Sequence, residues 1–206
     1  MKKEKKSTRQ MILEAADAEF LEKGYDGTTT ASIAARAKVT HAMLHYYYQT
    51  KENLFEMFVQ KKMALVKEAI CPPARTATPG NLAEQVRYIV SHHMDFLFSR
   101  PELPKFMLKE ICFNRDRLAM FAAIAHQDGN IMDVAAGLKK AAEKEGLSIG
   151  FDIRTIIIEI ALFNISAFIS ADIRSSCFGE PEEAVAAMIE NRKTENTERI
   201  LKMLGK

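Results

Sequence analysis

Several common signals are missing from this chain of 206 residues. It has no P-loop, no HExxH helix and no dinucleotide fingerprint, so the frequent short enzyme motifs are absent. No segment alternates apolar and polar residues for long, so no half-buried strand is predicted. No cysteines stand at CxxC spacing. Cys71, Cys112 and Cys177 lie far apart, as free thiols of a reducing compartment do. No apolar h-region follows the basic start, which argues against a signal peptide. The longest apolar run, Ile156 to Ile173, is interrupted by Glu159, Asn164 and Asp172, so it is a poor membrane span. Net charge is only +2, so nothing global demands nucleic acid. What remains is the expectation of a cytoplasmic protein that does not enter the membrane. No catalytic residue, metal set or cofactor is predicted. With 48% apolar residues, the chain is long enough for a sizeable core.

What is present is helical periodicity. Ser7 with Gln10 reads as a capping box. Ile12, Ala16 and Phe20 form an apolar stripe, Gly24 stops the helix, and "GYDGTTT" is a turn. Thr29 caps a short helix from Thr30 to Ala37, Thr40 caps a third, and Thr50 caps a fourth that starts at Lys51 and carries Leu54, Phe55, Phe58 and Leu65. "CPPARTATPG" ends that helix. Asn81 opens a helix that stops before Pro101. A stripe from Leu103 to Asn114 follows. Leu118 to Glu145 is one long helix, or two meeting near Gly129. Asp152 caps a helix to about Arg174, and Pro181 is the first helical position of the last one. The prediction is an all-α chain of about nine helices. Residues 1–50 form a three-helix helix-turn-helix domain with a basic arm at 1–6. Residues 51–206 form a larger helical domain for ligand binding and dimerisation.

In the second and third helices Ile33, Ala34, Ala37, Val39 and Leu44 have core spacing. This leaves His41, Ala42, Met43 and His45 facing outward, where a helix-turn-helix meets the major groove. The order Gly24-Tyr25, Thr29-Thr30, Ile33-Ala34, Ala37-Lys38-Val39-Thr40, Leu44-His45-Tyr46-Tyr47-Tyr48 and Lys51-Glu52-Asn53-Leu54 resembles the N-terminal pattern of the TetR family of transcriptional regulators, over residues 8 to 58. Two positions depart from it. Lys38 stands where the family has a turn glycine, and His45 where it has tyrosine. If Lys38 takes positive φ, the cost is on the order of a kcal/mol, and its charge can sit near phosphate.

The resemblance implies a double-stranded DNA operator as partner. Thr30, Thr40, Tyr47 and Lys51 match positions that grip the backbone. His41, Ala42, Met43 and His45 match positions at base edges. Hydroxyls and lysine hold phosphate without reading sequence, whereas imidazoles and methyls can meet base edges. Tyr46 and Tyr48 read as structural rings wedged against the fourth helix. His41 and His45 also have metal-ligand spacing, but no carboxylate or cysteine lies beside them. The family's second half implies a small-molecule effector and a homodimer through the last two helices. The apolar girth of the Asp152–Arg174 helix fits burial on two sides. Candidate effector contacts are His93, Phe96, Met107, Glu110, Asn114, Phe121 and Asn164, polar groups and rings on inward stripes. The fourth helix joins pocket to head, which makes its tilt the expected lever. Two rival functions remain open to the sequence. "GLSIG" matches a hydrolase nucleophile elbow at Ser148, but a helix, not a strand, precedes it. A protein-binding scaffold is the other rival.

Overall fold

The structure, a computed structural model, describes residues 7–70, 81–127, 130–148, 150 and 152–206. The basic arm 1–6, the break at 71–80 and the junction at Gly129 lie outside the described residues. Among the described residues there are ten α-helices, one π-helical segment and no strand. The helices are α1 Thr8–Gly27, α2 Thr30–Ala37, α3 His41–Tyr48, α4 Lys51–Ile70, α5 Leu82–Ser99, α6 Glu102–Phe106, α7 Arg115–Gln127, α8 Asn130–Lys144, α9 Arg154–Phe178 and α10 Glu182–Met203; the π segment is Met107–Cys112. The helix count exceeds the expected nine because 118–145 falls into two helices.

Local chemistry sets most of the boundaries. Ser7 Oγ accepts from the Gln10 amide at 3.2 Å, and Asn81 Oδ1 from the Glu84 amide at 2.9 Å, each satisfying an otherwise orphan helix donor. Gly24 takes φ 73 and breaks the helical backbone of α1, but the turn after it stays helical to Gly27. Asp152 does bond the Arg154 amide, although Ile153 is the N-cap residue of α9. Pro181 is the N-cap of α10, one position before the expected place.

The chain forms two compact units, and they do not follow the expected division at residue 50. The first comprises the described residues of Met1–Ala64 with Lys105–Ile124, and the second those of Leu65–Pro104 with Ala125–Lys206. The physical reason is shared burial. Phe55, Phe58 and Val59 of α4, Phe106, Ile111 and Ile124 enter the same core as Ile12, Phe20, Ile33 and Leu44. Phe20 meets Phe55 edge-on with centroids 5.0 Å apart, and Phe58 meets Phe106 likewise at 5.0 Å. Burying each such ring contributes about 1.5–3 kcal/mol, which is far more than a loop boundary can oppose.

In the first unit one carboxylate joins distant segments. Glu110, in the π segment, is buried. It accepts from the Tyr25 amide at 3.0 Å and from Arg117 Nη1 at 3.2 Å. A Cβ on Gly24 would collide with this carboxylate, so the glycine serves both the positive φ and the close approach. Lys51 Nζ donates to the Tyr25 and Thr28 carbonyls, both at 3.1 Å, and sits 4.0 Å from the Tyr25 ring centroid. Burial, together with the hydrogen bond from Tyr25 to Glu52, pushes the Tyr25 phenol up to about 12.

The second unit packs α5, α8, α9 and α10 around Leu82, Val86, Val90, Leu138, Ile156, Ile160 and Ile200. A polar chain runs through it. Asn164 Nδ2 lies 2.9 Å from the Val90 carbonyl and 3.2 Å from His93 Nδ1, and Asn196 Nδ2 donates to Asn164 Oδ1 at 3.0 Å. Helix α9 is long and apolar enough to cross a membrane by length and composition. Its buried residues, Ile156, Ile160, Asn164, Ala167, Phe168 and Ala171, account for one side of that apolarity. Ile158, Leu162, Ile169, Ile173 and Phe178 of the same helix are exposed.

His93 makes the stability of this unit pH-dependent. Burial lowers its pKa from the ordinary 6.5 to about 4. The unfolded chain therefore takes up the proton first, and stability falls as pH drops from about 6.5 towards 4. Between pH 7 and pH 5 the expected loss is about 2 kcal/mol. Urea unfolding across that range should lose most of this slope in His93→Gln.

Candidate nucleic-acid interface

Helices α2 and α3 are each fixed at both ends. Thr29 Oγ1 accepts from the Ser32 amide at 3.0 Å while Ser32 Oγ accepts from the Thr29 amide at 3.2 Å, a reciprocal capping box. Thr40 Oγ1 accepts from the Met43 amide at 3.2 Å. Between them Lys38 adopts φ 56 and ψ 41, the left-handed region, and its amide and that of Val39 close onto the Ala35 and Ala34 carbonyls. Ala34, Ala37 and Leu44 are buried, so small side chains let the two helices cross closely. At the far end Gln49 has φ 62 and ψ −59, and the Thr50 amide bonds the Tyr48 carbonyl at 2.6 Å. That is a γ-turn with positive φ, rare and strained.

This frame leaves one face of α3 open. His41, Ala42, Met43, His45 and Tyr47 are exposed. Thr30 Oγ1 and His41 Nε2 are 2.9 Å apart, so two of the expected interface residues hold one another. Tyr48 is buried as expected and donates its hydroxyl to the Arg9 carbonyl at 2.8 Å. Tyr46 corrects the expectation of a structural ring. It is 80% exposed, with its ring edge-on to Tyr47 at 5.2 Å. On an eight-residue helix Leu44 and Tyr48 share the inward face, and Tyr46 falls on the opposite one. Lys51 was expected at a phosphate; two of its three donors go to main-chain carbonyls at the end of α1, where a cation is favoured.

Side chains outside the expected interface set sit beside Tyr47. Arg9, Tyr47, Gln49, Asn53 and Gln60 line a groove of about 320 Å³, in which Glu56 is the only carboxylate among the lining residues. Tyr48 ties the turn at Arg9 to the end of α3 across 39 residues of sequence, a link that no local pattern announces.

The candidate effector residues divide between the units. His93, Phe96 and Asn164 belong to the second, where His93 and Asn164 meet at 3.2 Å. The Arg100 guanidinium lies 5.0 Å from the Phe96 ring centroid. Met107, Glu110, Asn114 and Phe121 belong to the first. Met107 and Phe121 pack against its core. Glu110 holds Tyr25 and Arg117. Asn114 caps α7, its Oδ1 accepting from the Arg117 amide at 3.0 Å. Of these four, Asn114 lines a cavity of about 340 Å³ shared with Tyr25, Glu52, Phe55 and Arg117. Among the described residues no three His, Cys, Asp or Glu side chains cluster as a metal site would need. Ser148 follows α8 and is not on a strand-to-helix turn, so it lacks the geometry of a nucleophile elbow.

Comparison with known proteins adds three findings. A family model described as bacterial regulatory proteins, tetR family, matches residues 12–57. The chain is 27% identical over 107 residues to the probable HTH-type transcriptional regulator YttP of Bacillus subtilis, covering 52% of each. It is 25% identical over 147 residues to the transcriptional repressor BepR of Brucella suis, covering 70% of each. The chain thus spans about half the length of YttP, and also of the repressor AcnR of Corynebacterium diphtheriae. Among solved structures, a tetR family transcription regulator from Shewanella sp. PV-4 superposes with TM-score 0.72 over 94% of this chain and 98% of that one, at 18% identity. HlyIIR, a hemolysin II transcriptional regulator, superposes with TM-score 0.61 over 89% and 96%, at 27% identity.

The turn between α2 and α3 yields a stability test. Lys38→Gly removes the Cβ from a left-handed residue and should stabilise the protein by about 0.5–1 kcal/mol. Lys38→Ala keeps the Cβ and should change little. The midpoints of thermal unfolding for the two variants check the difference.

Proposed function

Because this chain is a member of the TetR family of transcriptional regulators, we propose that it binds double-stranded operator DNA through the exposed face of α3 and releases it when a small effector binds. The observation that carries the reading is the frame just described: Leu44 and Tyr48 buried, His41, Ala42, Met43 and His45 open, and both ends of α3 fixed. In this reading His41, Ala42, Met43 and His45 meet base edges. Thr30, Lys38, Thr40 and Tyr47 hold phosphates, and Lys51 contributes the one ammonium proton that the carbonyls leave free.

A palindromic operator with half-sites about one turn apart calls for a two-fold protein. The exposed Ile158, Leu162, Ile169 and Ile173 of α9 favour a homodimer through α9 and α10. A patch of this kind is unusual on a monomer. Repression is the reading favoured by the names of AcnR and BepR. The effector is apolar or amphipathic, and the reading places the protein in the cytoplasm with its DNA. Helix α4 is unbroken from Lys51 to Ile70, and its residues divide between the two units at Ala64. That continuity makes its tilt the proposed lever. An effector acts only through a difference in affinity between two states.

Fluorescence anisotropy with DNA flanking the gene tests this. Affinity should fall steeply and linearly in log–log form as salt rises. His41→Ala should reorder affinities among half-site variants, each by about 1–3 kcal/mol. Tyr47→Phe should weaken all of them alike. Binding that is insensitive to salt, or a His41 variant that shifts every sequence equally, would count against the reading.

A further inference from the structure

The polar chain in the second unit has a direction that its anchors fix. The Val90 carbonyl can only accept, so the Asn164 atom 2.9 Å from it is the amide nitrogen. Asn164 Oδ1 then faces Asn196, which must present its own nitrogen, at 3.0 Å. This leaves Asn196 Oδ1 buried and without a partner among the described residues. At the other end, the same Asn164 nitrogen lies 3.2 Å from His93 Nδ1. Since Asn164 Nδ2 is a donor, Nδ1 must be the acceptor, and the ring proton is on Nε2. Asn164 is 0% exposed, with both amide protons and its oxygen engaged. It has no donor left for a bound molecule. His93 Nε2 has no hydrogen-bond partner among the described residues.

We infer that Asn164 is a positioning residue that holds His93 as an Nε2–H donor, and that the effector contacted by His93 presents a hydrogen-bond acceptor such as a carbonyl, not an amine. The second half rests on the proposed effector response and on the expectation that His93 contacts the effector; the first does not. The assignment moves Asn164 from the surface of the effector site to the layer behind it. It also converts an apolar site into a selective one. An imidazole N–H covered by a hydrocarbon loses its hydrogen bond to water and gains none, whereas a ketone or ester oxygen replaces it. A primary ammonium would place donor against donor.

Long-range proton–nitrogen NMR of the full 15N-labelled chain reads the tautomer directly, with the His93 signals assigned by their loss in His93→Gln. The expected result is a single Nε2–H form at neutral pH. In Asn164→Leu, and in Asn164→Ser should the leucine variant fail to fold, His93 should become a mixture of both tautomers. An Nδ1–H form or a mixture in the unaltered chain would overturn the inference. So would an unchanged single tautomer in a folded Asn164 variant. Titration with 2-nonanone should then move the Nε2–H resonance, while nonylamine and nonane should not. A resonance unmoved by the ketone up to its solubility limit, or moved equally by the amine, overturns the acceptor assignment. The tautomer is measured without DNA or effector, so its result is separable from failure of the regulator reading.

Discussion

The first unit depends on one contact, the Glu110 carboxylate at the Tyr25 amide beside Gly24. Burying an ionised carboxylate is expensive unless it is paired and hydrogen-bonded. Here Arg117 supplies the charge and Tyr25 a main-chain donor. The bond spans 85 residues of sequence and closes α1 against the π segment. Lys51 draws the start of α4 to the same turn through the Tyr25 and Thr28 carbonyls. The rings of Phe20, Phe55, Phe58 and Phe106 then fill the space that these polar ties enclose. The open face of α3 is therefore a product of ties made behind it.

The helix starts were legible because their causes are local. Ser7, Thr29, Thr40 and Asn81 each cap within three residues, and a reader of the sequence needs nothing more distant. The left-handed turn at Lys38 was legible in the same way, from the glycine it replaces. Glu110 was not. A carboxylate on an apolar stripe with Phe106 and Ile111 reads as a pocket group, and its partners lie far away in sequence. The π segment also turns Glu110 off the register that a plain α-helix would give. Tyr46 failed for another reason. Three consecutive tyrosines cannot share one helix face, and the core takes only Tyr48. The expected boundary at residue 50 marks the end of the helix-turn-helix motif, whereas the compact units follow the buried rings.

The second unit shows a different economy. Its core is almost wholly apolar, and its few polar side chains are linked to each other instead of to water. Lys193 follows the same logic. Burial alone would lower its pKa, yet Asp95 and Glu190 bonded to its ammonium more than offset this and raise it. Burial of such groups is least costly where their partners are present. The apolar content of α9 thus has two causes, one inside the subunit and one on its exposed face.

Tyr25 meets five neighbours through four different parts. Its amide goes to Glu110, its carbonyl to Lys51, its hydroxyl to Glu52, and its ring lies under Lys51 and Arg117, with Phe55 edge-on at 4.7 Å. Effects of changes at these positions will not sum. Removing a second partner disturbs a turn that the first removal has already loosened, so coupling energies among Glu52, Glu110, Lys51 and Arg117 measure one shared object. A change at any one of these sites is therefore felt by the other three, and the turn after Gly24 responds as a single unit.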